Sequence, residues 1–165
     1  MDIIETDEDF DGRILRVTVE VDSLKFQILT VYGPNPTEKT ESEDFFDYMD
    51  HFVDPNLPVV LVGDFNMVED LALDRQGGNP RSLHTYGWST LEKFLSKHSL
   101  CDIWRTRNPN ISRYSWSNDT MDIQSRLDRI YFPMEWVDKV KSTTISPFSW
   151  SDHDIVDVQL CYPLQ

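Results

Sequence analysis

Positive charge is scarce in this chain, and so are cysteine and glycine. Its 165 residues hold 15 Lys and Arg against 29 Asp and Glu, a formal net charge of −14. A tight nucleic-acid binder carries a basic footprint, and the chain as a whole does not. A DNA-cutting site is not excluded by this, because such a site needs carboxylates to hold metal. The imbalance is local: residues 1–54 carry −11 and residues 55–165 carry −3. Two cysteines, Cys101 and Cys161, make neither a disulfide framework nor a metal-ligand spacing. No apolar run approaches the ~20 residues of a membrane span. The start, "MDIIETDEDFDGR", lacks the basic-then-apolar order of a signal peptide. These absences point to an intracellular protein, cytoplasmic or nuclear and not secreted, with reduced thiols and no membrane partner.

What is present suits one packed domain. Hydrophobic residues are 39% and aromatics 12%, too many for a disordered chain. "ILRVTVEV" (14–21) alternates apolar and polar residues, and "KFQILTVYG" (25–33) returns after a turn, so a β-hairpin is expected. Phe45, Phe46, Met49 and Phe52 put an amphipathic helix over 38–53. "VVLVG" (59–63) reads as a buried strand. Residues 67–87 read as a long loop, and Trp88, Leu91, Phe94 and Leu95 mark a helix over 88–98. "YSWS" (114–117), "SRLDRIYF" (125–132) and "DIVDVQL" (154–160) read as further strands. The class is α/β, an α+β sandwich with mixed sheets. The domain is expected over 10–165, with 1–9 as an acidic leader.

Four polar features sit at or near strand ends. Asp64 and Asn66 lie two apart, so they share a face where the apolar strand stops; the same "GDFN" also suits a plain turn. Asp152 and His153 precede the last strand as a His–carboxylate pair; from the residues alone this reads first as a capped strand entry with a solvated histidine, and second as a group for proton transfer or metal. Asp128 sits inside a strand beside Arg126 and Arg129, placed to orient a histidine or to pair an arginine. Tyr32 ends a strand before "GPN", as packing or as a hydroxyl offered to an anion. Together the set fits phosphodiester hydrolysis, which needs a base, donors for charge on phosphorus, and a cation on phosphate oxygens.

"VYGPN", "GDFN", "SRLDRIY" and "SDH" fall in the order and rough spacing of the endonuclease/exonuclease/phosphatase superfamily, which is DNase I-like. "GDFNMVEDLALDRQGGNP", "LCDIWRTRNPNISRYSWSN" and "QSRLDRIYFP" resemble the endonuclease domains of LINE-type, non-LTR retrotransposons. The resemblance spans about residues 10–160. It implies DNase I-like mixed sheets flanked by helices, and a hydrolase that nicks DNA with Mg2+ or Mn2+. It assigns Asp64 as general acid or base, Asn66 and Tyr32 to the phosphate, and His153 to the phosphate with Asp128 orienting it. Asp152 becomes the metal ligand. Asn35, Arg126, Trp150 and Ser151 become candidates for substrate contact.

One departure is expected to matter. The family's principal metal-binding glutamate follows an early apolar strand, and Glu5, Glu8 and Glu20 do not fit that pattern. The resemblance therefore implies a domain incomplete at its amino-terminal side, with impaired activity. A non-catalytic remnant is one alternative, and a phosphatase or lipid phosphodiesterase of the same superfamily is another. Exposed sheet edges would favour self-association. The cluster Arg105, Arg107, Arg113, Arg126 and Arg129, interleaved with Trp104, Tyr114, Trp116 and Tyr131, either meets DNA or pairs Asp102, Asp119, Asp122 and Asp128 in the fold.

Overall fold

Alternation in sequence becomes alternation between two cores. A computed structural model of the chain describes residues 1–79 and 81–161. Its strands are β1 (Asp2–Glu8), β2 (Ile14–Val21), β3 (Leu24–Tyr32), β4 (Val59–Asp64), β5 (Arg75–Gln76), β6 (Leu100–Asp102), β7 (Trp116–Ser117), β8 (Gln124–Ser125), β9 (Asp128–Pro133), β10 (Val140–Ser146) and β11 (Ile155–Leu160). The helices are α1 (Lys39–Tyr48), α2 (Trp88–Lys97) and α3 (Ile103–Arg107). The main sheet runs β1-β2-β3-β4-β9-β6, with β3 and β4 parallel and the other neighbours antiparallel.

The expected hairpin forms in register from Ile14↔Val31 to Val21↔Leu24. Asp22 and Ser23, both at positive φ, make its tight turn. Leu29, Val31, Leu61 and Tyr131 face α1 and α2, where they pack with Phe46, Met49, Leu91 and Phe94. The next residues along the same strands, Val60 and Phe132, face the other way, against Trp136 and Val140. β10 and β11 form a separate two-stranded sheet on that second face. The layers are helices, main sheet, small sheet, the α/β sandwich expected from the sequence.

Two expectations need correction. Residues 1–9 are not a leader: Asp2–Glu8 is a strand paired antiparallel to β2 from Asp2↔Glu20 to Glu8↔Leu15. Arg16 anchors it through Glu5 at 3.2 Å. All its residues are exposed, so burial left no alternation to read. Arg126 is not available to substrate. It is 1% exposed, with Nε donating to Asp74 at 2.7 Å and Nη1 to Asp102.

The other arginines of that cluster are also committed to the fold, though mostly to other partners than expected. Arg105 pairs Asp74 at 2.6 Å, Arg113 pairs Asp154 at 3.0 Å, and Arg107 bonds the carbonyls of Lys141 and Val140. Within the expected loop, β5 joins β8 and β7 in a small three-stranded sheet. The helix expected over 38–53 ends as α-helix at Tyr48 and continues as a 3-10 turn, Met49–Phe52. Among the described residues, no helix is long and apolar enough to cross a membrane.

Candidate active site

Strand register builds the site. β3 pairs Tyr32 with Asp64, and β4 pairs Asp64 with Asp128. Three of the candidate residues thus form one row across adjacent strands at one end of the sheet. They share the parity of Val60, Val62 and Ile130, which face the small sheet. Gly63, at φ 147°, lets the strand bend there; a Cβ would meet the Val31 carbonyl oxygen at 1.9 Å.

The "GDFN" segment then turns sharply. Asn66 takes φ 50°, a region that Asn tolerates. Its N–H donates to Asp64 Oδ1 at 2.9 Å and its Nδ2 to the Gly33 carbonyl at 2.8 Å. Asn66 therefore ties this turn to the one that follows Tyr32. Phe65 is fully buried, and its N–H donates to the Leu127 carbonyl at 2.9 Å.

The Asp–His segment is held by "YSW". Asp154 N–H donates to the Ser115 carbonyl at 2.7 Å, and Ser117 N–H to the Asp152 carbonyl at 3.1 Å. This places His153 Nδ1 2.8 Å from Asp128 Oδ2. Ser115, fully buried, donates its hydroxyl to the same Asp128 oxygen at 2.7 Å and accepts the Leu127 and Asp128 N–H groups. Ligand atoms of Asp64, Asp128 and His153 all lie within 4.8 Å of one another.

Burial raises the pKa of Asp64, and the Asp128 charge adds to that effect. Burial alone would lower the pKa of His153. The bond to Asp128 and the charges of Asp128, Asp64 and Asp152 outweigh it, so the imidazolium is favoured. Asp152 is exposed, and its carboxyl lies below its usual range chiefly because Trp116 Nε1 donates to it at 2.9 Å. Its Oδ1 takes a long 3.5 Å contact from Ser151 Oγ. A hard cation takes one or two carboxylates and fills its shell with water and phosphate oxygens, and Asp64 and Asp128, whose ligand atoms lie within 4.8 Å of each other and of His153, are donors of that kind.

Tyr32 is exposed, with the Arg13 guanidinium 5.9 Å from its ring centre. Asn35 is exposed in the turn beyond it, and Trp150 and Ser151 are exposed beside Asp152. The sequence reading missed Ser115 and Arg13. Ser115 was read only as part of a strand, and Arg13 precedes the strand whose far partner brings Tyr32 beside it.

The site's order along the chain has a counterpart. The model of the Endonuclease/Exonuclease/phosphatase family matches residues 3–153. The chain belongs to that family.

A curated relative, a transposon TX1 uncharacterized 149 kDa protein of Xenopus laevis, is 28% identical over 154 residues, 90% of this chain and 11% of that protein. Solved structures share the DNase I-like fold. An AP endonuclease from Leishmania major has TM-score 0.72 at 16% identity, covering 92% of this chain and 55% of that one. An AP endonuclease from Archaeoglobus fulgidus has TM-score 0.72 at 12% identity, covering 96% and 71%. A Neisseria 3′ phosphatase bound to a product DNA hairpin has TM-score 0.65 at 18% identity, covering 93% and 66%. The chain spans about a ninth of the curated relative and from just over half to 71% of these structures.

Proposed function

We propose that this chain is a nicking endonuclease of the retrotransposon type, acting on DNA inside the cell. The observation that carries the reading is the row Tyr32–Asp64–Asp128 with His153 bonded to its end. Asp64, with a raised pKa, takes the proton of a water aligned behind phosphorus. His153, bonded to Asp128 through Nδ1, donates to a phosphate oxygen as negative charge builds there. The Tyr32 hydroxyl and the Asn66 amide hold other phosphate oxygens. Asp152 would hold a divalent cation, Mg2+ or Mn2+, whose chemistry is to neutralise charge on the phosphate. The water oxygen bonds to phosphorus as the bond to the 3′ oxygen breaks, and that oxygen takes a proton from solvent and leaves as a 3′-hydroxyl, with the phosphate on the 5′ side. Trp150, Ser151 and Asn35, all exposed, would meet the nucleotides beside the cut.

Among the described residues the Asp64–Asp128–His153 cluster includes no glutamate. A cation held by so few carboxylates binds weakly, so impaired turnover belongs to this reading. The β1 edge, with Ile3 and Ile4 exposed, is the proposed route of self-association. A second reading, phosphatase action, draws on the net charge of −14, which disfavours long nucleic acids. The deciding experiment is nicking of supercoiled plasmid with Mg2+, with EDTA and His153→Ala as controls, beside release of phosphate from a 3′-phosphorylated oligonucleotide. Nicking lost in both controls supports the endonuclease. Phosphate release without nicking supports the phosphatase, and neither activity leaves a remnant that does not turn over.

A further inference from the structure

Arg129 follows Asp128 on β9, so its side chain leaves the strand on the opposite face. It is 1% exposed. Its Nη2 donates to the Met67 carbonyl at 2.8 Å and to the Arg126 carbonyl at 2.9 Å. The guanidinium lies 5.8 Å from the Phe65 ring centre. Glu69 is its ion-pair partner, at 3.6 Å from Nε, and that Nε has no hydrogen bond.

As a device for stability alone this is a poor arrangement. Burying a guanidinium is costly, and well-packed apolar side chains commonly do as well or better. What an arginine supplies, and no apolar residue can, is charged N–H donors held rigidly in a plane; here one of them, Nη2, reaches two carbonyl acceptors at once. Here one acceptor, Met67, directly follows the turn made by Asp64, Phe65 and Asn66. The other, Arg126, lies just before Asp128. We infer that Arg129 is a positioning residue, whose buried guanidinium fixes the Asp64–Asn66 turn against the strand that carries Asp128. It touches neither substrate nor the reacting atoms. It sets the distance between the Asp64 carboxylate and the Asp128–His153 pair from behind, through backbone carbonyls. The catalytic half of this inference rests on the endonuclease reading; the structural half does not.

Arg129→Met would leave Glu69 without its cation and is not used alone. Arg129→Lys and the double variant Arg129→Met/Glu69→Gln are compared with the full chain by NMR amide exchange and by plasmid nicking. The amides of Phe65 and Asn66 should exchange about tenfold faster in the double variant, corresponding to about 1.4 kcal/mol, while Leu61 and Val31 are unchanged. In nicking, kcat should fall at least about tenfold with KM steady, since a small misplacement of the reacting groups is felt in the chemical step. Lysine should recover part of both effects. Turn amides that exchange as in the original chain overturn the inference, as does acceleration spread evenly through the sheet. If the double variant does not fold, Arg129→Lys decides by the same readings. If the original chain does not nick, the endonuclease reading falls, and the exchange data still decide whether Arg129 holds the turn.

Discussion

Asp64 and Asp128 stand directly opposite each other as the last register pair of β4 and β9. Like charges in that position oppose pairing of the strands, and the raised pKa of Asp64 records part of the cost. Asp64→Asn should therefore raise stability, by about 0.5 kcal/mol. The amide oxygen can still accept the Asn66 N–H that now bonds Asp64 Oδ1. The same substitution should abolish nicking. Thermal melts beside plasmid assays check this; a variant that is less stable than the original would show that the pair does not carry repulsive strain.

Asp128→Asn addresses the other partner. Asparagine can still accept from Ser115, whose hydroxyl now meets Asp128 Oδ2 at 2.7 Å, but it cannot sustain the His153 imidazolium. The His153 pKa should fall, which NMR titration of its ring protons reads directly. Nicking should drop by about a hundredfold or more. A His153 pKa that does not move would show that Asp64 and Asp152 hold the charge instead.

Much of this site was legible in the sequence, and the reasons are physical. Buried strands announce themselves by apolar runs, so "VVLVG" placed Asp64 at a strand end, and period-two alternation placed Tyr32 at the end of its hairpin. The polar residues just beyond those runs had few structural roles to account for them. β1 was not legible, because every residue in it is exposed and it is held by backbone pairing with β2 and the Arg16 ion pair. β10, "VKSTTIS", was missed for a related reason: its burial is uneven and its polar residues mask the period. Arg126 was misread because a charged residue beside a catalytic motif looks available. Its partners Asp74 and Asp102 lie 52 and 24 positions away, and no local pattern reveals them.

Asp74 carries the pH prediction for stability. Burial alone would raise its pKa, but the Arg126 bond and charge, with Arg129 and Arg105, bring it below the ordinary 3.8. A depressed folded-state pKa contributes stability that is fully present above the unfolded value and lost as pH falls through the folded one. Urea unfolding should therefore show a stability loss that begins near pH 4 and deepens below it. Asp74→Ala should lessen this acid dependence and cost about 3–5 kcal/mol at neutral pH, because it leaves Arg126 buried with half its partners gone.

The cation requirement should be weak and specific to Asp152. Half-maximal nicking is expected only at millimolar Mg2+, as befits a hard cation held by few carboxylates. Asp152→Ala should raise that requirement further while leaving the melting temperature unchanged, since the side chain is exposed and its bonds to Trp116 and Ser151 lie at the surface. EDTA should stop nicking altogether. Nicking that saturates at micromolar Mg2+ would mean that further ligands complete the shell.

Trp150 is 88% exposed, and two positions on lies Asp152, the proposed cation ligand. An indole so placed adds nothing to the core, and a base stacked on it would gain about 1–3 kcal/mol. That matters here because the usual source of affinity is missing: with a net charge of −14, the chain has little to offer the phosphate backbone at long range. Stacking, rather than charge, should then dominate binding near the cut. Trp150→Ala should raise KM for a short DNA substrate by about tenfold and leave kcat and the melting temperature steady. The salt dependence of binding should be shallow in both proteins, because few counterions are released. A steep salt slope, with no effect of Trp150→Ala, would show that a basic surface carries the DNA after all.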